Sequence, residues 1–130
     1  MAKVYREDAE QKALIQWADL TRLPAFVADS GDKIGAYLFA IPNGGARSRI
    51  EAARLIGLGV RPGVSDLFFS YPVGAHAGLY IEMKAPAPYS SQVSKAQKQF
   101  MARMTSAGYQ AQVCKGWEPA RDCILAYLTP

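Results

Sequence analysis

Asp66, Glu82 and Lys84 are the side chains best placed for chemistry, because they flank two apolar runs separated by a short turn. If residues 67–71 pair antiparallel with residues 78–81 across a turn centred near Gly74, Asp66 and Glu82 are equidistant from that centre and fall opposite each other. Directly opposed side chains lie about 4.5–5.5 Å apart at Cβ. Two carboxylates that close repel unless a cation lies between them or one is protonated. Mg²⁺ or Mn²⁺ suits such a pair, since Mg²⁺ takes hard oxygen ligands, keeps several waters and uses only one or two carboxylates. Lys84 is two residues beyond Glu82 and projects from the same face, where an ammonium can orient water or offset negative charge. Met83 points to the opposite face, yet its backbone carbonyl is within reach of the same ion. The competing reading is a surface hairpin with an ordinary cross-strand salt bridge.

Three observations favour the site over the salt bridge. Both strands are apolar on either face, as central strands are. Residues 6–21 form an amphipathic helix whose stripe is Glu10, Leu14, Trp17 and Thr21, so Glu10 points where Leu14 and Trp17 point. A core-facing carboxylate needs a partner; the alternative is a first-turn glutamate reaching solvent and favoured by the helix dipole. A later helix, capped by Ser90 or Ser91 and running to residue 107, places Gln97 in a stripe with Val93, Phe100 and Met104.

The remaining elements are a loop over 23–33, a buried strand over 36–41, a helix over 46–56, a strand over 109–115, a turn over 116–119 and a helix over 121–128. The order predicts an α/β fold in one domain, 1–130, with a mixed central sheet flanked by helices. The length suits one core. The 50% hydrophobic composition excludes a disordered chain. No signal-peptide core and no membrane-length apolar run is present, which predicts a cytoplasmic protein with no membrane partner. Cys114 and Cys123 lack zinc-site spacing and read as free thiols in a reducing compartment.

The net charge of +4 is unevenly spread. Residues 43–115 hold nine basic and three acidic side chains, and two of the three acids are Asp66 and Glu82. That points to an anionic partner such as nucleic acid. Asn43, Arg47, Arg54, Arg61, Lys95 and Lys98 are the candidates for phosphate contacts, which position DNA without reading its sequence. Asn43-Gly44-Gly45 before a helix can present backbone N–H groups to a phosphate, and equally reads as a tight turn. His76, in a Gly/Ala-rich turn, is an exposed loop histidine with no triad partner. No phosphate-binding loop or dinucleotide fingerprint occurs.

Pro62-Gly63-Val64-Ser65-Asp66-Leu67, Tyr80-Ile81-Glu82-Met83-Lys84 and Ser94-Lys95-Ala96-Gln97, in that order, resemble the PD-(D/E)xK nuclease superfamily, and most closely its VRR-NUC (virus-type replication-repair nuclease) family. The likeness extends to the Glu10–Trp17 helix, to Ile41-Pro42-Asn43-Gly44-Gly45 and to Gly108-Tyr109. The resemblance implies a restriction-endonuclease-like core and a divalent-metal deoxyribonuclease using Mg²⁺ or Mn²⁺. It implies Asp66, Glu82 and the Met83 carbonyl as metal ligands, Lys84 as the group positioning the attacking water, and Glu10 and Gln97 as completing the catalytic site. It further implies a stand-alone phage or bacterial type, a DNA-repair nuclease acting as a homodimer on branched DNA such as four-way (Holliday) junctions. Two rivals stand beside it: a sequence-specific restriction-type endonuclease, for which so short a chain offers few base-reading insertions, and a non-catalytic DNA-binding module, against which the intact Asp66, Glu82 and Lys84 count.

Overall fold

A computed structural model describes residues 2–42, 48–89 and 91–129, with side chains from residue 6 onward. The described elements are α1 (Ala2–Leu20), a 3-10 turn (Ile34–Ala36), β1 (Leu38–Ala40), α2 (Arg49–Gly57), β2 (Leu67–Phe69), β3 (Leu79–Lys84), α3 (Lys95–Ser106), β4 (Gln110–Lys115) and α4 (Trp117–Leu128). The strands form one mixed sheet in the order β1-β2-β3-β4. The first three are an antiparallel meander, and β4 joins β3 in parallel after the α3 crossover.

Alternation along the strands sorts the side chains. Leu67, Phe69, Leu79, Ile81 and Met83 form a buried layer with Leu14 and Ala18 of α1 and with Ala120, Ile124 and Leu128 of α4. Phe68, Tyr80, Glu82 and Lys84 alternate with that layer and face the other way, toward α3. β3 is covered on both faces, so all its residues are buried except Tyr80, which is half-buried. Cys114 and Cys123 are free, and their side chains face each other between β4 and α4.

Several boundaries differ from the sequence expectation for local physical reasons. α3 starts later than residues 90 or 91, because Ser94 caps it: its hydroxyl accepts from the Gln97 N–H at 3.1 Å while Gln97 Oε1 accepts from the Ser94 N–H at 2.8 Å. Ser90 itself lies outside the described residues. α4 begins at Trp117 rather than after the expected turn; Pro119 falls in its first turn, where the missing N–H has no intrahelical partner to lose. The first strand shortens to Leu38–Ala40, because the chain before it winds into the 3-10 turn.

Candidate active site

The Asp66 side chain completes the β3 ladder where β2 ends. Leu67 pairs with Ile81, so extending that register by one residue sets Asp66 opposite Glu82. Asp66 Oδ2 accepts the Met83 N–H at 2.7 Å, replacing a backbone acceptor that β2 no longer supplies. The approach to Asp66 is fixed against α3. Gly63 has φ +84, and a Cβ there would collide with the Ala96 carbonyl oxygen.

Glu82 is only 3% exposed. Its carboxyl is pushed up to about 8 by burial first, then by the charge of Asp66 and a hydrogen bond shared with it, with Glu7 adding repulsion and Lys84 opposing the rise. Glu82 Oε2 accepts from Gln97 Nε2 at 3.0 Å and lies 3.7 Å from Lys84 Nζ. Glu82 Oε1 is buried and receives no donor from the described residues, and Ser65 Oγ, next to Asp66 in the chain, is likewise buried without a partner among them. Lys84 is also buried, and its ammonium meets Gln97 Oε1 only at a long 3.4 Å. Lys115 is its register partner on β4, so two cations stand side by side at the end of the parallel pair.

This arrangement fits a divalent cation. Two carboxyls face each other, burial and the charge of Asp66 raise the Glu82 carboxyl, and no donor from the described residues reaches Glu82 Oε1. A cation between them would relieve the repulsion and take up the orphaned oxygen. Lys84 and Gln97 close the side toward α3. Among the described residues no third carboxylate, histidine or cysteine joins them as a ligand, so Asp66 and Glu82 are the anionic set.

The structure thus brings Asp66, Glu82, Lys84 and Gln97 together and engages Glu10 with the backbone beyond β4. Glu10 Oε1 accepts the Trp117 N–H at 2.8 Å, at the start of α4. The cap position of α4 is Gly116, which has φ +111 and no side chain to offer, so the carboxylate of α1 does this work across the fold. The α1 carboxylate that acts on Glu82 is Glu7, one turn earlier, whose Oε2 also accepts from Ser91 Oγ at 3.0 Å. The sequence did carry a signal for it: Glu7 lies seven residues before Leu14, on the same helical stripe as Glu10.

Of the basic candidates, Asn43 and Arg47 lie outside the described residues. Arg54, Arg61, Lys95 and Lys98 are exposed. Arg61 Nη1 donates to the carbonyls of Ile56 and Val60 at 2.8 and 3.3 Å, tying it to the end of α2. Arg103 and Lys115 are exposed as well, and neither sits in a recognisable sequence motif.

Comparison with known proteins identifies the domain. A family model described as the VRR-NUC domain matches residues 6–118. A solved structure described as a VRR_NUC domain protein is similar at 28% identity with a TM-score of 0.78, over 94% of this chain and 87% of that one. No curated protein sequence matches.

Proposed function

The chain belongs to the VRR-NUC family of nuclease domains, and on that premise we propose that it is a divalent-metal-dependent DNA endonuclease acting on branched DNA such as four-way junctions. The observation that carries this reading is the half-buried Asp66 facing the buried Glu82, with Lys84 beside them and no donor from the described residues on Glu82 Oε1.

In this proposal Asp66, Glu82 and the Met83 carbonyl hold Mg²⁺ or Mn²⁺. The ion supplies charge to polarise the phosphate and acidify water. The chain's own groups do the rest. Lys84, buried and loosely held, orients the attacking water and offsets charge developing on phosphorus. Gln97 fixes both Glu82 and Lys84 through its two amide atoms. Glu7 adds negative charge from α1. Water attacks phosphorus in line with the leaving 3′ oxygen, the P–O3′ bond breaks, and the products carry a 5′ phosphate and a 3′ hydroxyl. Lys95, Lys98, Lys115 and Arg54 are positioned for backbone contacts that hold DNA without reading it.

Action as a homodimer is part of the proposal, because two symmetric sites can cut paired strands of a junction. Its support is α2, a helix that buries none of its residues. Ile50 and Ile56 on it, and Leu58 after it, are 84%, 55% and 70% exposed, which leaves apolar surface for a second copy to cover. Sedimentation showing only monomer at cleavage-competent concentrations removes the dimer.

The deciding experiment is one panel. Single-stranded, duplex, flap and four-way-junction DNA are incubated with and without Mg²⁺ or Mn²⁺, beside Lys84→Ala. The expected result is metal-dependent cutting of branched substrates that Lys84→Ala abolishes. Cutting of linear duplex at a fixed sequence would instead favour a restriction-type enzyme, and binding without cutting a non-catalytic module.

A further inference from the structure

A cavity of about 450 Å³ lies between the loop leading into Asp66 and α3. Phe100 and Met104 of α3 and Pro62 and Val64 of the loop give it apolar walls. Ala96 and Gln99 of α3 line it too, Arg61 and Arg103, both exposed, complete it, and no carboxylate is among its lining residues. Its volume is that of ordinary small-molecule sites, about 300–1,000 Å³.

The cavity is coupled to the site along three paths. Val64 is two residues before Asp66, and Phe100 is one helical turn beyond Gln97. The Phe100 ring meets Tyr80 edge-on at 5.1 Å, and Tyr80 shares a face of β3 with Glu82. Arg61 is held in place through Nη1 by the carbonyls of Ile56 in α2 and Val60 beyond it, leaving its other N–H groups for a ligand. The Arg103 guanidinium has no hydrogen bond or ion pair among the described residues.

An apolar recess walled by an aromatic ring, with two guanidinium groups and no acid, matches a flat ring attached to phosphates. Base–aromatic stacking and arginine–phosphate contacts are the two forces by which proteins hold unpaired nucleotides. A paired base is hidden inside the duplex stack and reaches such a recess only when displaced. We infer that this cavity receives an unpaired base of the DNA next to the scissile phosphate, with Arg61 and Arg103 holding its flanking phosphates. The inference rests on the nuclease reading above and gives it a physical basis for choosing branched DNA: branch points and flaps offer unpaired nucleotides that linear duplex does not.

The test is binding in metal-free buffer, where no cutting occurs. Two duplexes of equal length are compared by fluorescence anisotropy, one fully paired and one carrying a single bulged 2-aminopurine. The bulged duplex binds about tenfold more tightly, in line with the value of one stacked base, and its 2-aminopurine emission is quenched on binding. Arg103→Ala, at an exposed position, and Phe100→Leu, checked for folding by its melting temperature, each bring the bulged-to-paired ratio close to one. Equal affinity of the unaltered protein for both duplexes overturns the inference, as does a ratio unchanged in Arg103→Ala. If that happens while Mg²⁺-dependent cutting persists, the cavity assignment falls alone. If the ratio behaves as expected but no DNA is cut with Mg²⁺ or Mn²⁺, the cavity stands and the nuclease reading falls.

Discussion

Gln97 donates to Glu82 through Nε2 at 3.0 Å while its Oε1 accepts from the Ser94 N–H at 2.8 Å. One side chain therefore fixes the start of α3 and the least exposed carboxylate of the site at once. The same Oε1 faces Lys84 at 3.4 Å, so the amide also sets the spacing between Glu82 and Lys84. A helix cap has been placed where it sets the geometry of the chemistry.

That dual role can be divided by mutation. Ser94→Ala removes half of the capping box and leaves the Gln97 amide free to hold Glu82. Gln97→Ala removes the other half of the box together with the hold on Glu82. Each variant should lose about 1 kcal/mol of stability by chemical denaturation. Only Gln97→Ala should also lose activity, about 10- to 100-fold, as expected when a group that orients the ligands of a metal is removed. Equal activity losses in the two variants would mean that Gln97 acts only through the helix.

The cation is testable without DNA. Mg²⁺ or Mn²⁺ at about 100 times its Kd should stabilise the folded chain by about 2.7 kcal/mol, seen as a rise of several degrees in the melting temperature. Asp66→Ala should abolish that rise together with cleavage, while DNA binding survives. Lys84→Ala should keep the rise and lose cleavage, because its ammonium positions water and holds no ion. A wild-type protein whose melting temperature ignores both metals would remove Asp66 and Glu82 as ligands.

Much of this geometry is legible in the chain. The two apolar runs flank Gly74 symmetrically, so the register that sets Asp66 opposite Glu82 follows from counting outward from the turn. Gln97 faces inward because it shares a helical stripe with Phe100. Ser94-Lys95-Ala96-Gln97 spells a capping box, a stronger start signal than the earlier serines. The choice between Glu7 and Glu10 is not legible. Both lie on the apolar stripe of α1, and which turn meets the sheet depends on how far the helix slides along it. Contacts distant in sequence set that slide, among them the Glu10–Trp117 bond and the Glu7–Ser91 bond. The cavity beside α3 is equally hidden, since its two arginines are 42 residues apart and meet only after the crossover.

The two α1 glutamates should separate by phenotype. Glu10→Ala leaves the first N–H of α4 without its acceptor and should cost about 1–2 kcal/mol, with the cleavage rate of the folded protein held within about threefold. Glu7→Ala should leave the melting temperature nearly unchanged and cut the cleavage rate by about tenfold or more, as loss of a charge next to the ligands does. Loss of cleavage in a fully folded Glu10→Ala would return that residue to the catalytic set.

The acidity of Glu82 gives a stability prediction with a definite sign. Its folded pKa of about 8 lies above the 4.5 of the unfolded chain, so between those values the folded state keeps a proton that the unfolded state has released. The stabilising contribution is complete below about pH 4.5 and is lost as pH rises toward 8, by about 1–3 kcal/mol after discounting for local relaxation. Glu82→Gln stays neutral throughout and should lack that decline. In metal-free buffer its melting temperature should therefore exceed that of the wild type at pH 8.5 and approach it at pH 5. Adding Mg²⁺ or Mn²⁺ should raise the wild type and leave the variant behind, because the cation supplies the charge that the proton otherwise brings. Parallel pH profiles for the two proteins would show that Glu82 is not held protonated, and that the repulsion from Asp66 is relieved some other way.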